Sequence, residues 1–460
     1  MELVTRDYLD QCMTDNCIQT DYVVFGLGKT GLSCAYFLDN LDIPFTVVDT
    51  RDEPPELETL QRDLSHAPII LGDSSSWDLG CCKNLVLSPG VPRTHPFVVD
   101  AIRNGVDVIG DIELFARNVT APVVAITGSN GKSTVVTMVA EILTQAGHKV
   151  RVGGNLGTPA LDLFDESSPP DYFVVELSSF QLESTSSLAP VVACILNVSP
   201  DHLDRYPDYS SYVAAKLRIL DRAQCAVLNA QDGYLSGLEP PCEVQHFGTA
   251  DGSRDGYWIE STDEESWLVA KNTRLLPISN LQIQGEHNYL NALAAVAITD
   301  ALSIPSNVQT NVLQKFLGLA HRCQTIASQA GVDWIDDSKG TNVGASCAAI
   351  SGVFSNRTGV LIAGGQAKDA DFVQLRASVE EYVRTVVLIG QDARPIADAL
   401  DDVADIFFAV DMASAVEIAR RLARPGEAVL LSPACASFDM FDNFEARGLE
   451  FARAVVGASA

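Results

Sequence analysis

The residues best suited to chemistry lie in one short run, Val123 to Thr134, VVAITGSNGKST. An apolar stretch ends at Thr127, Gly128 and Gly131 bracket Ser129 and Asn130, and Lys132, Ser133 and Thr134 open a helical pattern that closes at Gly147. The order reads as strand, phosphate loop, helix. Glycines let backbone N–H groups turn toward an anion and the helix N-terminus adds positive partial charge. A lysine and a hydroxyl then reach the terminal phosphates and Mg²⁺. Two residues rather than four separate the glycines, a departure from the general pattern. The bland alternative is a Gly-Asn turn that happens to precede a helix. A buried strand before it and Lys-Ser-Thr after it favour nucleotide binding.

Other candidates follow downstream. In DYFVVELSSFQLE, Glu176 ends a strand, where an acid is ordinarily a cap or solvated but is also well placed to hold Mg²⁺. A Pro-broken loop then carries Asp201, His202 and Asp204, and VAAKLRIL puts Lys216 on an apolar helix face. An ammonium there must be paired, snorkel outward or lose its charge. His202 alone reads as a solvated loop histidine. Asn155, in GGNLG, is a turn residue by default that could offer an amide to substrate. Asn288 and Asn291 lie three apart on one face of an alanine-rich helix over 285–302, as helix-start satisfiers or as readers of an adenine edge.

The elements that must position these residues are α/β throughout. Residues 1–110 open with a strand, the turn Gly26-Leu27-Gly28-Lys29-Thr30-Gly31, a helix and a second strand ending at Asp49, an acid about 20 residues on. On its own this fingerprint suggests NAD with Asp49 on a ribose, but the same turn can hold any diphosphate or uridine nucleotide. Ser88-Pro89-Gly90 ends a later strand, where doubly wound sheets place ligands. Residues 111–318 form the phosphate-loop domain, with 224–276 as short strands and loops. Residues 319–460 form a third α/β domain beginning with VDWIDDS, Lys339-Gly340-Thr341-Asn342 and a helix through Ile350, and ending in a Ser-rich turn and a closing helix.

A chain of 460 residues exceeds what one core supports. With 60 acidic against 31 basic residues, net −29, it repels nucleic acid and acidic lipid surfaces. The 11 scattered cysteines, without a CxxC pair, fit reduced thiols rather than zinc or disulfides, and the acidic N-terminal stretch lacks a signal peptide's apolar segment. Apolar runs are of strand length, so no membrane helix is expected. A cytoplasmic protein is the expectation.

TGSNGKST, GGNLGTP, ELSSFQLE, NVSPDHLDRY, AAKLRIL, GEHNYLNALAA, HR, DDSKGTNVGA, GGQAKDADF and LLSPACASFDMFDNFEARG occur in this order. The chain thereby resembles the Mur ligase family over nearly its full length, and in particular the branch that adds D-glutamate to UDP-N-acetylmuramoyl-L-alanine. The resemblance implies three domains: a Rossmann-like N-terminal domain, a central P-loop ATPase-like parallel-sheet domain and a Rossmann-like C-terminal domain. They would take UDP-sugar, ATP and amino acid, in cytoplasmic peptidoglycan precursor synthesis, through an acyl phosphate.

It also implies roles. Lys29, Thr30, Thr50, Arg51, Ser88 and Asn155 would contact the UDP substrate. Gly128, Ser129, Asn130, Gly131, Lys132, Ser133, Thr134, Asn288, Asn291, Arg322, Asp337 and Lys339 would hold ATP. Ser133 or Thr134 with Glu176 would hold one Mg²⁺ and His202 a second, with Lys216 carbamylated as a further oxygen ligand. Lys132, Glu176, His202 and Lys216 would carry the catalysis. Thr341 and Lys368 would clamp one D-glutamate carboxylate, and Ser437 and the backbone near Phe444 the other. A monomer, with small molecules as its partners, is implied. The rivals are a sister ligase using L-alanine or another residue, a folyl-polyglutamate type ligase, a nicotinamide dehydrogenase and a nucleotide-binding regulator without chemistry. The first-domain GLGKTGLS with VVDTR and the closing SPACASFDMFDNFEARG argue against the other ligases. The phosphate loop, Glu176 and Lys216 argue against the dehydrogenase.

Overall fold

The computed structural model describes residues 18–457 except 156, 166, 203–204, 249–255, 264, 284, 355–357 and 368–369. Strands β1 (Tyr22–Phe25), β2 (Phe45–Asp49), β3 (Ile69–Leu71), β4 (Asn84–Leu87) and β5 (Asp107–Gly110) form an all-parallel sheet in the order 3-2-1-4-5. Because the chain leaves β1 toward β2 on one side and later returns to β4 on the other, a crevice opens at the C-terminal ends of β1 and β4. Gly26 and Ser88 lie at that point, and the Ser88 hydroxyl donates to the Gly26 carbonyl at 2.6 Å.

The second sheet contains β6 (Val123–Thr127), β7 (Val150–Gly154), β8 (Tyr172–Glu176), β9 (Val192–Ile195), β10 (Cys225–Asn229), β11 (Glu243–Phe247), β12 (Tyr257–Ser261), β13 (Ser266–Ala270) and β14 (Thr273–Pro277), in the order 14-13-12-11-10-9-6-8-7. β6 is buried along its whole length, as a continuous apolar run predicts for a parallel strand covered on both faces. It pairs with β8 through Ile126 and Glu176 and with β9 through Thr127 and Ile195. The phosphate loop and Glu176 therefore leave the same edge of the sheet. The helices Lys132–Gln145 and Glu286–Ala301 pack together on one face, and Asn291 through Thr299 are buried without interruption.

The third sheet, β15 (Gln324–Gln329), β16 (Val332–Asp336), β17 (Gly359–Gly364), β18 (Val383–Ile389), β19 (Asp405–Phe408) and β20 (Ala428–Leu431), runs 15-16-20-17-18-19. Two features refine the expected parallel sheets. β12, β13 and β14 form an antiparallel meander at the edge of the central sheet, and β15 pairs antiparallel with β16. In both places short loops join neighbouring strands, which parallel pairing cannot accommodate.

Glycine 31 shows how tightly the first turn is built. A Cβ there would sit inside the van der Waals radius of the Gly26 carbonyl oxygen, and the Ser88 hydroxyl would lie 3.1 Å away. Gly31→Ala must push the helix off the sheet. It is expected to destabilise the first domain by roughly 2–4 kcal/mol, read as a shifted denaturant midpoint. Substitution of the more open Gly28, whose Cβ would meet nothing within 4 Å, is the comparison.

Candidate active site

The phosphate loop is held open by its neighbours. Gly131 has φ +83°, and a Cβ there would collide with the Asn291 amide oxygen, so the glycine lets the two elements meet. The Asn130 N–H donates to the Asn197 side-chain oxygen at 2.8 Å, and the Asn197 amide donates back to the Asn130 carbonyl at 3.1 Å. Ser129 Oγ donates to the Ser199 carbonyl at 2.9 Å and lies 2.8 Å from the Tyr212 hydroxyl. Lys132 folds back on the loop, donating to the Gly128 and Ser129 carbonyls at 2.9 and 3.1 Å.

Glu176 is 3% exposed, and both its oxygens are used. One accepts from Ser133 Oγ and the other from Asn155 Nδ2, each at 2.7 Å. Ser133 Oγ in turn accepts from the Arg322 guanidinium at 2.8 Å. Lys216, 2% exposed, donates to the Gly128 carbonyl at 2.9 Å and stands 4.7 Å from the Tyr212 ring centroid. Burial, and then the nearby Lys132 charge, pull its pKa well below the usual lysine value. The His202 ring packs edge-on against Phe180 at 4.8 Å, with Nε2 3.7 Å from the Asp201 carboxylate.

Among the described residues no group of three or more His, Cys, Asp or Glu forms a metal cage by itself. Mg²⁺ takes one or two carboxylates and completes its shell with phosphate oxygens and water. Glu176, beside the Ser133 hydroxyl at the head of the phosphate-loop helix, fits that requirement.

The third domain reaches across. Buried Asp337 accepts from Ser432 Oγ at 2.7 Å, and burial raises its pKa to about 7. The Lys339 ammonium lies 3.9 Å from the Phe444 ring centroid; burial, then Arg322 and Lys132, lower its pKa to about 8. A cavity of about 420 Å³ gathers Gly128 to Ser133, Asn155, Glu176, His202, Lys216, Thr341, Ser437 and Phe444. A second, of about 130 Å³, gathers Thr134, Asn288, Asn291 and Asp337, and Arg322 and Lys339 line both. Of the adjacent hydroxyls, Ser133 meets Glu176 while Thr134 faces the second cavity. Lys368 and Asp204 lie outside the described residues.

Lys29, Thr30, Thr50, Arg51 and Ser88 line neither cavity; Lys29 and Thr30 lie within the Gly26–Gly31 turn, Thr50 and Arg51 follow β2, and Ser88 bonds the Gly26 carbonyl. Asp49, the acid a dinucleotide reading puts on ribose, is already engaged. It accepts from the Leu27 and Arg51 backbone N–H groups at 2.7 and 2.9 Å and from the Arg51 guanidinium at 2.9 and 2.7 Å. These hydrogen bonds outweigh burial and lower its pKa.

Sequence reasoning missed Asn342. Its oxygen accepts from the Ala345 N–H at 2.8 Å, capping the helix Val343–Phe354. Its amide donates across the domain boundary to Asp201 at 3.1 Å and to Asn130 at 3.2 Å. An asparagine just before a helical run is a cap signal, but nothing local announces the cross-domain contacts.

Three family models match the chain in order. They are described as the Mur ligase MurD-like N-terminal domain over residues 20–110, the Mur ligase middle domain over 126–299 and the Mur ligase glutamate ligase domain over 321–435. A UDP-N-acetylmuramoylalanine--D-glutamate ligase of Legionella pneumophila (strain Paris) is 45% identical over 441 residues, 95% of this chain and 99% of the relative. The enzyme of the same name from Pseudomonas syringae pv. tomato is 47% identical over 438 residues, 94% and 97% of the two chains. Among solved structures, the UDP-N-acetylmuramate-alanine ligase of Thermotoga maritima shares the fold, with TM-score 0.59 at 20% identity over 96% of this chain and 99% of that one. Matched by family models over all three of its sheets and by relatives along nearly its whole length, the chain belongs to the Mur ligase family.

Proposed function

We propose that the protein is an ATP-dependent amide ligase that joins D-glutamate to UDP-N-acetylmuramoyl-L-alanine in peptidoglycan precursor synthesis. The observation that carries the reading is the single cavity in which the phosphate loop, Glu176 and Lys216 face Thr341, Ser437 and Phe444 of the third domain. Relatives of that name at 45–47% identity support the choice of substrates.

A carboxylate is a poor electrophile. Its oxygen attacks the γ-phosphorus of ATP, the bond to the bridging oxygen breaks, and ADP leaves with an acyl phosphate in place. The amine of D-glutamate then adds to the acyl carbon and loses a proton, and phosphate departs. Two anions meet in the first step, so charge stabilisation dominates. Lys132 is assigned to the β- and γ-phosphates, and Arg322 and Lys339 to the same polyphosphate from the opposite wall. Asn288, Asn291 and Thr134 line the space assigned to adenine and its neighbouring phosphates, with Asp337 beside them. Ser133 with Glu176, and the His202 side, would hold Mg²⁺ at two sites, where it would supply further neutralisation of phosphate charge.

Lys216 is assigned a carbamate. A buried amine with a pKa well below the usual lysine value favours the neutral, nucleophilic form that adds CO₂; the N–C bond forms, one proton leaves the nitrogen, and the product carries an anionic pair of oxygens where the amine stood. D-Glutamate is assigned to Thr341, Ser437, the Phe444 backbone and Lys368. The UDP moiety is assigned to Lys29, Thr30, Thr50 and Arg51 around the first glycine turn, with Ser88 and Asn155 toward the sugar and its peptide. A monomer is the proposed working unit, since the phosphate loop and the residues assigned to both substrates are supplied within this chain's three domains. No helix among the described residues is long and apolar enough to cross a membrane. The cytoplasm is the proposed location, on the strength of the nucleotide substrates.

Phosphate release is expected from ATP, Mg²⁺ and UDP-N-acetylmuramoyl-L-alanine with D-glutamate, and not with L-glutamate, L-alanine or no amino acid. Release only with another amino acid would overturn the assigned specificity; silence under every combination would leave a nucleotide-binding protein without chemistry. Lys216→Ala is expected to lower kcat by about 10²–10³-fold, the scale of losing one preorganised electrostatic group, and short carboxylates such as formate should restore part of it. Full activity in the variant, or loss without rescue, counts against the carbamate.

A further inference from the structure

The reacting carboxylate arrives on a substrate anchored in the first domain, whereas the phosphate it attacks is held in the second. Something must fix the distance between them. Arg205 spans the gap. Its guanidinium donates to the Pro89 and Gly90 carbonyls at 3.2 and 3.4 Å through one nitrogen and to the Val91 carbonyl at 3.2 Å through the other. Those carbonyls belong to the turn that begins at Ser88, at the C-terminal end of β4.

The Cζ atom of the same guanidinium lies over the Phe180 ring, 4.4 Å from its centroid, and the His202 ring packs against that phenyl at 4.8 Å. Phe180 follows Glu176 by one turn of chain and lines the catalytic cavity with it. Glu183, 3.8 Å away, is the carboxylate facing the group, and the Arg205 side chain is only 15% exposed. One planar side chain therefore grips three successive carbonyls of the substrate-side turn and rests on the aromatic ring beneath His202. A lysine has no flat face to stack and no rigid fork to share among carbonyls.

We infer that Arg205 is a positioning residue that holds the turn Ser88–Val91 in register with the phosphate loop, so that the substrate carboxylate meets the γ-phosphate in line. The inference rests on the ligase reading above. Arg93 supplies an internal control: it also crosses this boundary, donating to Ser184 Oγ at 3.1 Å and to the Val108 carbonyl at 3.3 Å, but does not grip the turn's carbonyls.

The test compares wild type, Arg205→Ala, Arg205→Lys and Arg93→Ala in steady-state phosphate release, with thermal midpoints measured alongside. For Arg205→Ala, kcat is expected to fall by about 10²-fold, the cost of misplacing reacting atoms by roughly 1 Å, with the KM for ATP changed by less than about twofold. Added methylguanidinium should restore part of the loss, Arg205→Lys should remain well below wild type, and Arg93→Ala should keep its kcat. Wild-type kcat in Arg205→Ala, an equal loss in Arg93→Ala, or a matching rise in the KM for ATP would overturn the inference. If Arg205→Ala does not fold, Arg205→Lys decides: wild-type kcat overturns the inference and a selective loss sustains it. Wild-type protein silent with D-glutamate would instead overturn the ligase reading, and the inference with it.

Discussion

A net charge of −29 repels nucleotide polyphosphates at long range, so everything in this molecule depends on a local reversal of sign. Lys132, Arg322 and Lys339 converge on one buried neighbourhood beside the Lys216 amine, with Glu176 and Asp201 as counter-charges around the phosphate loop. Bringing cations together away from water is costly, and the lowered pKa values of all four record that cost. The same crowding makes a site where an anionic triphosphate and an anionic carboxylate can approach each other. The backbone supplies the frame: adjacent strand ends carry the loop and Glu176, and buried helices behind them prevent relaxation.

The site is also split by design. Arg322 and Asn342 belong to the third domain, yet they touch Ser133, Asn130 and Asp201 of the second. Each contact ties the third domain to the phosphate loop or to the turn beside it. A site divided between two domains is one that domain closure would complete.

Legibility in the sequence followed locality. The phosphate loop, Glu176 and Lys216 could be read because strand, turn and helix patterns place them within a few residues of a recognisable signal. Asn288 and Asn291 were legible as a helical face, but only the packing of that helix against Gly131 shows that Asn291 touches the loop. The choice between Ser133 and Thr134 depends on helix phase relative to β8, which no local pattern encodes. The antiparallel meander over β12 to β14 read as strands without an order, since pairing direction is set by neighbours. Asn342 and Arg205 were invisible as bridges because their partners lie 212 and up to 116 residues away in the chain. For Asp49 the spacing alone left two readings open, and the structure shows the carboxylate engaged in holding its own turn.

Whether the γ-phosphate is handed to the substrate's own carboxylate is the point on which the account stands. The most direct measurement is mass analysis of the phosphate released when UDP-N-acetylmuramoyl-L-alanine carries oxygen-18 in its carboxylate and D-glutamate is present. Transfer through an acyl phosphate predicts one labelled oxygen in each phosphate formed. Unlabelled phosphate would mean that water, not the carboxylate, attacks ATP, and would contradict the chemistry assigned to this cavity.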